Sequence, residues 1–125
     1  MNYMTSEDIV RAYLRATQER RLVDATAFLA SDFTCEFPGG EQFTSLDELV
    51  TWSSSRYRRI EKKIDQLDVI LAANGDVVYC YGTLFGEWPD GTSFSGVRFI
   101  DRFTVVDDRL TDQRVWNDLA ESRTS

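Results

Sequence analysis

Through residue 64 the apolar positions recur mostly at helical spacing, and from Asp65 onward the period changes to two. Thr5 and Ser6, followed by Glu7 and Asp8, form an N-cap signal, after which Ile9, Val10, Tyr13, Leu14 and Thr17 fall on one face. This predicts a first helix over about Ser6 to Glu19. A shorter pattern, Leu22, Ala25, Phe28 and Leu29, leads into Phe33-Thr34-Cys35-Glu36-Phe37, which alternates like a strand until Pro38-Gly39-Gly40 turns it. Ser45-Leu46-Asp47-Glu48 is a capping box, and Leu46, Leu49, Val50, Ser53, Tyr57, Ile60 and Ile64 continue at helical spacing. That run predicts the third and longest helix.

Turn signals at Asn74-Gly75, Pro89-Asp90-Gly91 and Asp107-Asp108 divide the remainder into four segments, about 65 to 73, 76 to 88, 92 to 106 and 109 to 118. They are expected to form an antiparallel meander. Gly82, Gly86 and Gly96 in the two middle strands suit a sheet that bends sharply. The expected fold class is α+β, a cone of three N-terminal helices covering a strongly curved mixed, mainly antiparallel sheet whose hollow can hold a small molecule.

Composition narrows the chemistry. At 125 residues, one domain spanning 1–125 is the expectation, and 13% aromatic residues with only 7 Gly and 2 Pro describe a chain that folds. Its 14 basic residues against 21 acidic ones give a net charge of -7, which argues against nucleic acid as a partner. The absence of histidine removes a Ser-His-Asp triad, a Cys-His pair and any His-ligated zinc. Cys35 and Cys80 read as buried free thiols of a reducing compartment, against a disulfide or a reactive nucleophile. Met1-Asn2-Tyr3-Met4-Thr5 lacks a basic and apolar leader pattern, and no apolar run nears the roughly 20 residues that span a bilayer, so a cytoplasmic protein without membrane partners is expected. No Gly-rich phosphate loop or acidic cluster at metal spacing occurs, and neither a metal nor a nucleotide cofactor is implied.

Strand alternation gives one inward set: Phe33, Cys35 and Phe37; Cys80, Gly82, Leu84, Gly86 and Trp88; Phe99, Asp101 and Phe103; Trp116 and Asp118. With Trp52 and Tyr57 from the third helix, these make an aromatic-walled pocket holding two acids. Gly82, Gly86 and Cys80 either open its middle or, in the plainer alternative, the glycines only bend the sheet while aromatic rings fill the space. Asp101 is either a pocket acid or half of a structural salt bridge, Asp118 either a pocket acid or an exposed residue, and Tyr13 either a core tyrosine or a substrate donor. The cluster Arg56, Arg58, Arg59, Lys62 and Lys63 reads as the solvated surface of the third helix, ahead of a contact with an anionic ligand or a protein.

Arg11-Ala12-Tyr13, Leu29-Ala30-Ser31-Asp32-Phe33, Phe99-Ile100-Asp101-Arg102-Phe103 and Trp116-Asn117-Asp118, in this order and spacing, resemble the nuclear transport factor 2-like superfamily, and within it the SnoaL-like proteins. The resemblance covers nearly the whole chain. Ketosteroid isomerases of that superfamily use a tyrosine and a neutral aspartic acid as an oxyanion hole and an aspartate before a proline as base. By resemblance these fall on Tyr13, Asp101 and Phe37, and phenylalanine removes no proton; Glu36 enters only if a bulge turns it inward. Limonene epoxide hydrolases imply an Arg and an Asp near Gly82 and Leu84, where neither is present, and an acid that matches Asp118. SnoaL-like cyclases imply the same Asp118 as acid or base.

The expected function is therefore a cofactor-free SnoaL-like enzyme that isomerises, cyclises or hydrates a small apolar molecule, with the alternative of a non-catalytic ligand-binding or dimer-forming module. Asp118 is expected to be the ionised base and Asp101, more desolvated, the neutral donor beside Tyr13. A homodimer is expected through outward apolar positions including Val97, Ile100 and Val105.

Overall fold

The computed structural model describes residues 4–123, so the opening Met1-Asn2-Tyr3 lies outside the described residues. The described residues form an α+β fold, a mixed six-stranded sheet with four α-helices. Helix α1 (Ser6–Gln18) begins at a reciprocal capping box, in which the Thr5 hydroxyl accepts from the Asp8 amide and the Asp8 carboxylate accepts from the Thr5 amide. Its buried stripe of Ile9, Val10, Tyr13, Leu14 and Ala16 faces the sheet. Helix α2 (Leu22–Thr26) is a single short turn before strand β1 (Leu29–Phe37). Pro38–Gly40 form a 3-10 turn, and strand β2 (Glu41–Phe43), which the alternation did not reveal, pairs back on β1.

Helix α3 runs from Leu46 to Ser53, not to residue 64. The Ser53 and Ser54 hydroxyls turn back onto the carbonyls of Val50 and Thr51, which is how serine competes with helix continuation. The following chain is strand β3 (Arg59–Ile70), paired along its length with β4 (Asp76–Glu87). Ile60 and Ile64 are four apart, a spacing that a helix and a strand both place on one face. The basic cluster is thereby moved from a helix surface to a loop and a sheet edge.

Strands β5 (Ser93–Val106) and β6 (Arg109–Asn117) complete the meander, and helix α4 (Leu119–Ser122) follows. The sheet order is β2-β1-β6-β5-β4-β3, antiparallel except where β1 lies parallel to β6. The β5–β6 connection is Asp107-Asp108, both at positive φ (50° and 60°), as a two-residue hairpin of this hand requires.

The buried core joins α1 to the sheet: Tyr13 packs edge-on against Phe103 at 6.1 Å and against Phe33 at 6.5 Å. Val97 and Val105, expected to face outward, are 3% and 5% exposed. They share the parity of Phe99, Asp101 and Phe103 and so share their face. An extra residue on β5 opposite Leu84 and Gly86, with Gly96 at φ 68°, restores the phase so that Phe94 and Val97 are both buried.

Gly82 and Gly86 serve the sheet rather than the cavity. A Cβ at Gly82 would overlap the Lys63 carbonyl oxygen and stand 2.8 Å from the Asp65 nitrogen, where β3 is bulged. At Gly86 it would overlap the Arg59 carbonyl oxygen. Gly82→Ala is expected to lower stability by about 1–3 kcal/mol, the usual range for overpacking, with a matching fall in the urea midpoint; an unchanged midpoint would show that β3 can move aside.

Candidate functional site

Between the helices and the inner face of the sheet lies an open cavity of about 930 Å³. Phe37 at the end of β1, Trp52 on α3, Tyr57 in the α3–β3 loop and Trp88 just after β4 line its wide end. Phe37, Phe43 and Trp52 pack as a triad with ring separations of 5.3–5.9 Å, so one wall is held rigid by aromatic contacts. Tyr13, Leu84, Phe99 and Asp101 line the deeper part.

Asp101 is the electrostatic centre. It is fully buried in the middle of β5, and its Oδ2 accepts from the Lys62 ammonium at 2.5 Å. Its Oδ1 is buried with no hydrogen-bond partner among the described residues. Burial pushes the carboxyl above its ordinary range, opposed by the positive charge and hydrogen bond of Lys62 and, less strongly, by Gln113. Lys62 also lies over the Phe99 ring, 4.9 Å from its centroid. Burial, with Cys35 and Asp101 nearby, pushes the Tyr13 phenol far up, so its hydroxyl stays a proton-bearing donor at any working pH.

The other predicted site residues lie elsewhere. Cys35, Cys80 and Phe103 are buried in the core and do not line the cavity. The two cysteines are free thiols whose burial raises them to about 12 and about 11, which keeps them protonated and unreactive. Gly82 backs onto β3. Trp116 is 48% exposed on the outer face, because Ile100 pairs with Trp116 and Asp101 with Val115; the inward residues of β6 are Gln113, Val115 and Asn117. The expected phase of β6 was off by one residue, which turns every side chain to the other face.

Asp118 follows the strand end, outside the cavity lining. Its side chain is 37% exposed and its Oδ2 accepts from Arg98 Nε at 2.6 Å. Glu36 is also outside, accepting from Gln42 at 3.3 Å, so no carboxylate stands where Phe37 occupies the cavity.

Lys62 and Gln113 were missed. The signal for Lys62 was its parity with Ile60 and Ile64, legible only once that segment is a strand. For Gln113 it was the apolar alternation with Val115, set by pairing to β5.

Residues 10–113 match the family model of the SnoaL-like domain, and the chain belongs to that family. No curated protein matches it in sequence. Among solved structures it is similar to a nuclear transport factor 2-like protein of unknown function from Burkholderia pseudomallei, with 19% identity, 94% and 95% of the two chains covered and a TM-score of 0.78. A protein from Xanthomonas campestris pv. campestris, provisionally assigned as a polyketide cyclase, has 19% identity, coverage of 92% and 91% and a TM-score of 0.73. A protein of ketosteroid isomerase-like fold from Catenulispora acidiphila, in complex with trimethylamine, has 16% identity, coverage of 90% and 86% and a TM-score of 0.70. These likenesses establish the fold. No helix among the described residues is long and apolar enough to cross a membrane.

The raised Asp101 carboxyl carries a definite sign of pH dependence. Because the folded chain holds this proton to higher pH than the unfolded chain, its contribution is complete below the unfolded value of about 3.9 and is lost as pH rises through the folded value. Asp101→Asn removes that loss. Urea unfolding across pH should show wild type losing stability relative to Asp101→Asn as pH rises from about 4, by about 1.4 kcal/mol for each unit between the two values. A gap that moves the other way would mean that Lys62 outweighs burial.

Proposed function

We propose that this chain is a cofactor-free enzyme that takes a small, mostly apolar organic molecule into the aromatic-lined cavity and isomerises, cyclises or hydrates it by acid/base catalysis in the cytoplasm. The observation that carries this reading is the fully buried Asp101, one oxygen on Lys62 and the other without a partner, lining a cavity large enough for a ligand. A carboxylate raised by burial is a better base near neutral pH than one in water. In this reading Asp101 takes or returns the substrate proton, while the Lys62 ammonium and the Tyr13 hydroxyl face the negative charge that develops on oxygen.

Asp118, the base expected from the sequence, is held by Arg98 outside the lining, and this reading assigns the proton transfer to Asp101 instead. The provisional polyketide cyclase from Xanthomonas and the trimethylamine-bound protein from Catenulispora support a small-molecule role by resemblance of fold alone. A second reading, a non-catalytic binding module, draws on the same ion pair, since Lys62 neutralises Asp101 without any substrate.

Proton exchange separates the two readings. A panel of bicyclic ketones such as 2-tetralone, followed by proton NMR in deuterated water, should lose its α-proton signal with wild type and lose it about 100-fold more slowly with Asp101→Asn. Lys62→Met should slow exchange as well, and Asp118→Asn reports on the C-terminal acid. Equal exchange rates for wild type and Asp101→Asn, with ketone binding retained, favour the binding module.

We also propose a homodimer through the outer sheet face. Tyr81, Ile100 and Trp116 sit side by side across β4, β5 and β6, with Tyr81 and Trp116 40% and 48% exposed. Light scattering should give twice the 14.4 kDa chain mass, and Trp116→Arg should return the monomer mass; a monomeric wild type would remove the interface.

A further inference from the structure

The cavity carries more positive charge than its two-component ion pairing uses. Six basic residues line it, Arg20, Arg56, Arg58, Arg59, Lys62 and Arg123, against three acids, Glu87, Asp101 and Glu121. Lys62 pairs with Asp101 and Arg59 with Glu87 at 3.3 Å. Among the described residues, this leaves four guanidiniums without a carboxylate in salt-bridge contact; Glu121 is the remaining acid of the lining, and Asp90 outside it feels the charge of Arg123. All four are exposed as well as lining, which places them at the rim. What sets these four apart is their gathering around one opening, in a chain of net charge -7 whose acids outnumber its bases.

The arrangement of two of the four is also specific. The Arg56 guanidinium lies 3.9 Å from the centroid of Trp52, itself fixed against Phe37 and Phe43, and Arg123 lies 5.7 Å from Trp88. A guanidinium that lies over an indole can keep N–H donors free to grip a carboxylate in two parallel hydrogen bonds. Arg58 uses one donor weakly, Nη2 to the Pro89 carbonyl at 3.4 Å, and keeps the rest. A flat apolar body in the cavity would therefore lie among aromatic walls with its outer end near arginines.

We propose that the substrate of this cavity is a planar organic acid, its apolar body within the aromatic walls and its carboxylate at the rim on Arg56, with Arg20, Arg58 and Arg123 supplying attraction. This rests on the cavity being the ligand site, as argued above, and narrows that ligand from apolar to anionic. Charge at the rim speeds encounter and sets orientation, directing the end away from the carboxylate toward Asp101 and Lys62. Neutralising the rim carboxylate or removing its receptor should cost affinity for the acid.

Calorimetric titration with matched probes tests the proposal on the intact chain: 2-naphthoate, the isosteric 2-naphthamide, and acetate. At low salt 2-naphthoate should bind at least about tenfold tighter than 2-naphthamide, with the advantage shrinking as ionic strength shortens the screening length. Acetate should bind far more weakly than 2-naphthoate, since it lacks the apolar body. Arg56→Gln should cut the carboxylate advantage, read as the ratio of the two naphthyl affinities within the same variant, to about threefold or less, and Arg109→Gln, at the distant β5–β6 hairpin, should preserve it. Equal or tighter binding of 2-naphthamide overturns the anionic class while the cavity remains the ligand site. Failure of both naphthyl probes to bind overturns this proposal and the cavity reading together.

Discussion

The contact between the Lys62 ammonium and the buried Asp101 carboxylate is the constraint around which this molecule is arranged. A carboxylate fully removed from water in the middle of a strand is costly unless it is neutralised or paired. The partner comes from two strands away, since β3 and β5 flank β4, and its aliphatic stem must cross the inner face of the sheet to reach. The pairing is therefore possible only if β3 is a strand in its observed register. One oxygen has no hydrogen-bond partner among the described residues, a cost that proteins retain mostly where a ligand meets the group.

The register that delivers Lys62 is maintained by glycines and bulges. The bulge at Asp65 lies where Gly82 lets the two backbones approach, and Gly86 gives the same freedom opposite Ile60. A second bulge at Gly96 keeps the long β5 in phase, so that one strand supplies Phe94, Val97, Phe99, Asp101, Phe103 and Val105 to the covered face. Small residues are spent here on backbone geometry, while the cavity is left open by the placement of aromatic walls around it.

Membership of the SnoaL-like domain family specifies a scaffold, and the chemistry on a scaffold is decided by the side chains that reach its cavity. Here the carboxylate deep in the cavity has a lysine as its partner, and the residue beside the proline is an apolar wall. Basic residues outnumber acidic ones in its lining, in an acidic protein. These features together distinguish this cavity from one that is merely hydrophobic.

Much of the framework was readable from the chain itself. The capped first helix, the turns at Asn74-Gly75, Pro89-Asp90-Gly91 and Asp107-Asp108, and the inward parity of Leu84, Phe99 and Asp101 follow from local rules of capping, turn chemistry and alternation. Three matters were decided only by tertiary pairing. The end of α3 at Ser53 was hidden because Ile60 and Ile64 fit a helix and a strand alike, and only pairing with β4 selects the strand. The face of β6 was hidden because Trp116 and Val115 are both apolar, and the cross-strand register to β5 chooses between them. Lys62 was hidden among five basic residues that look equivalent along the chain, and it becomes distinct only where the folded sheet brings a buried carboxylate within hydrogen-bonding distance. Local sequence sets which conformations each segment can adopt, but the choice between two allowed ones belongs to the neighbour it pairs with.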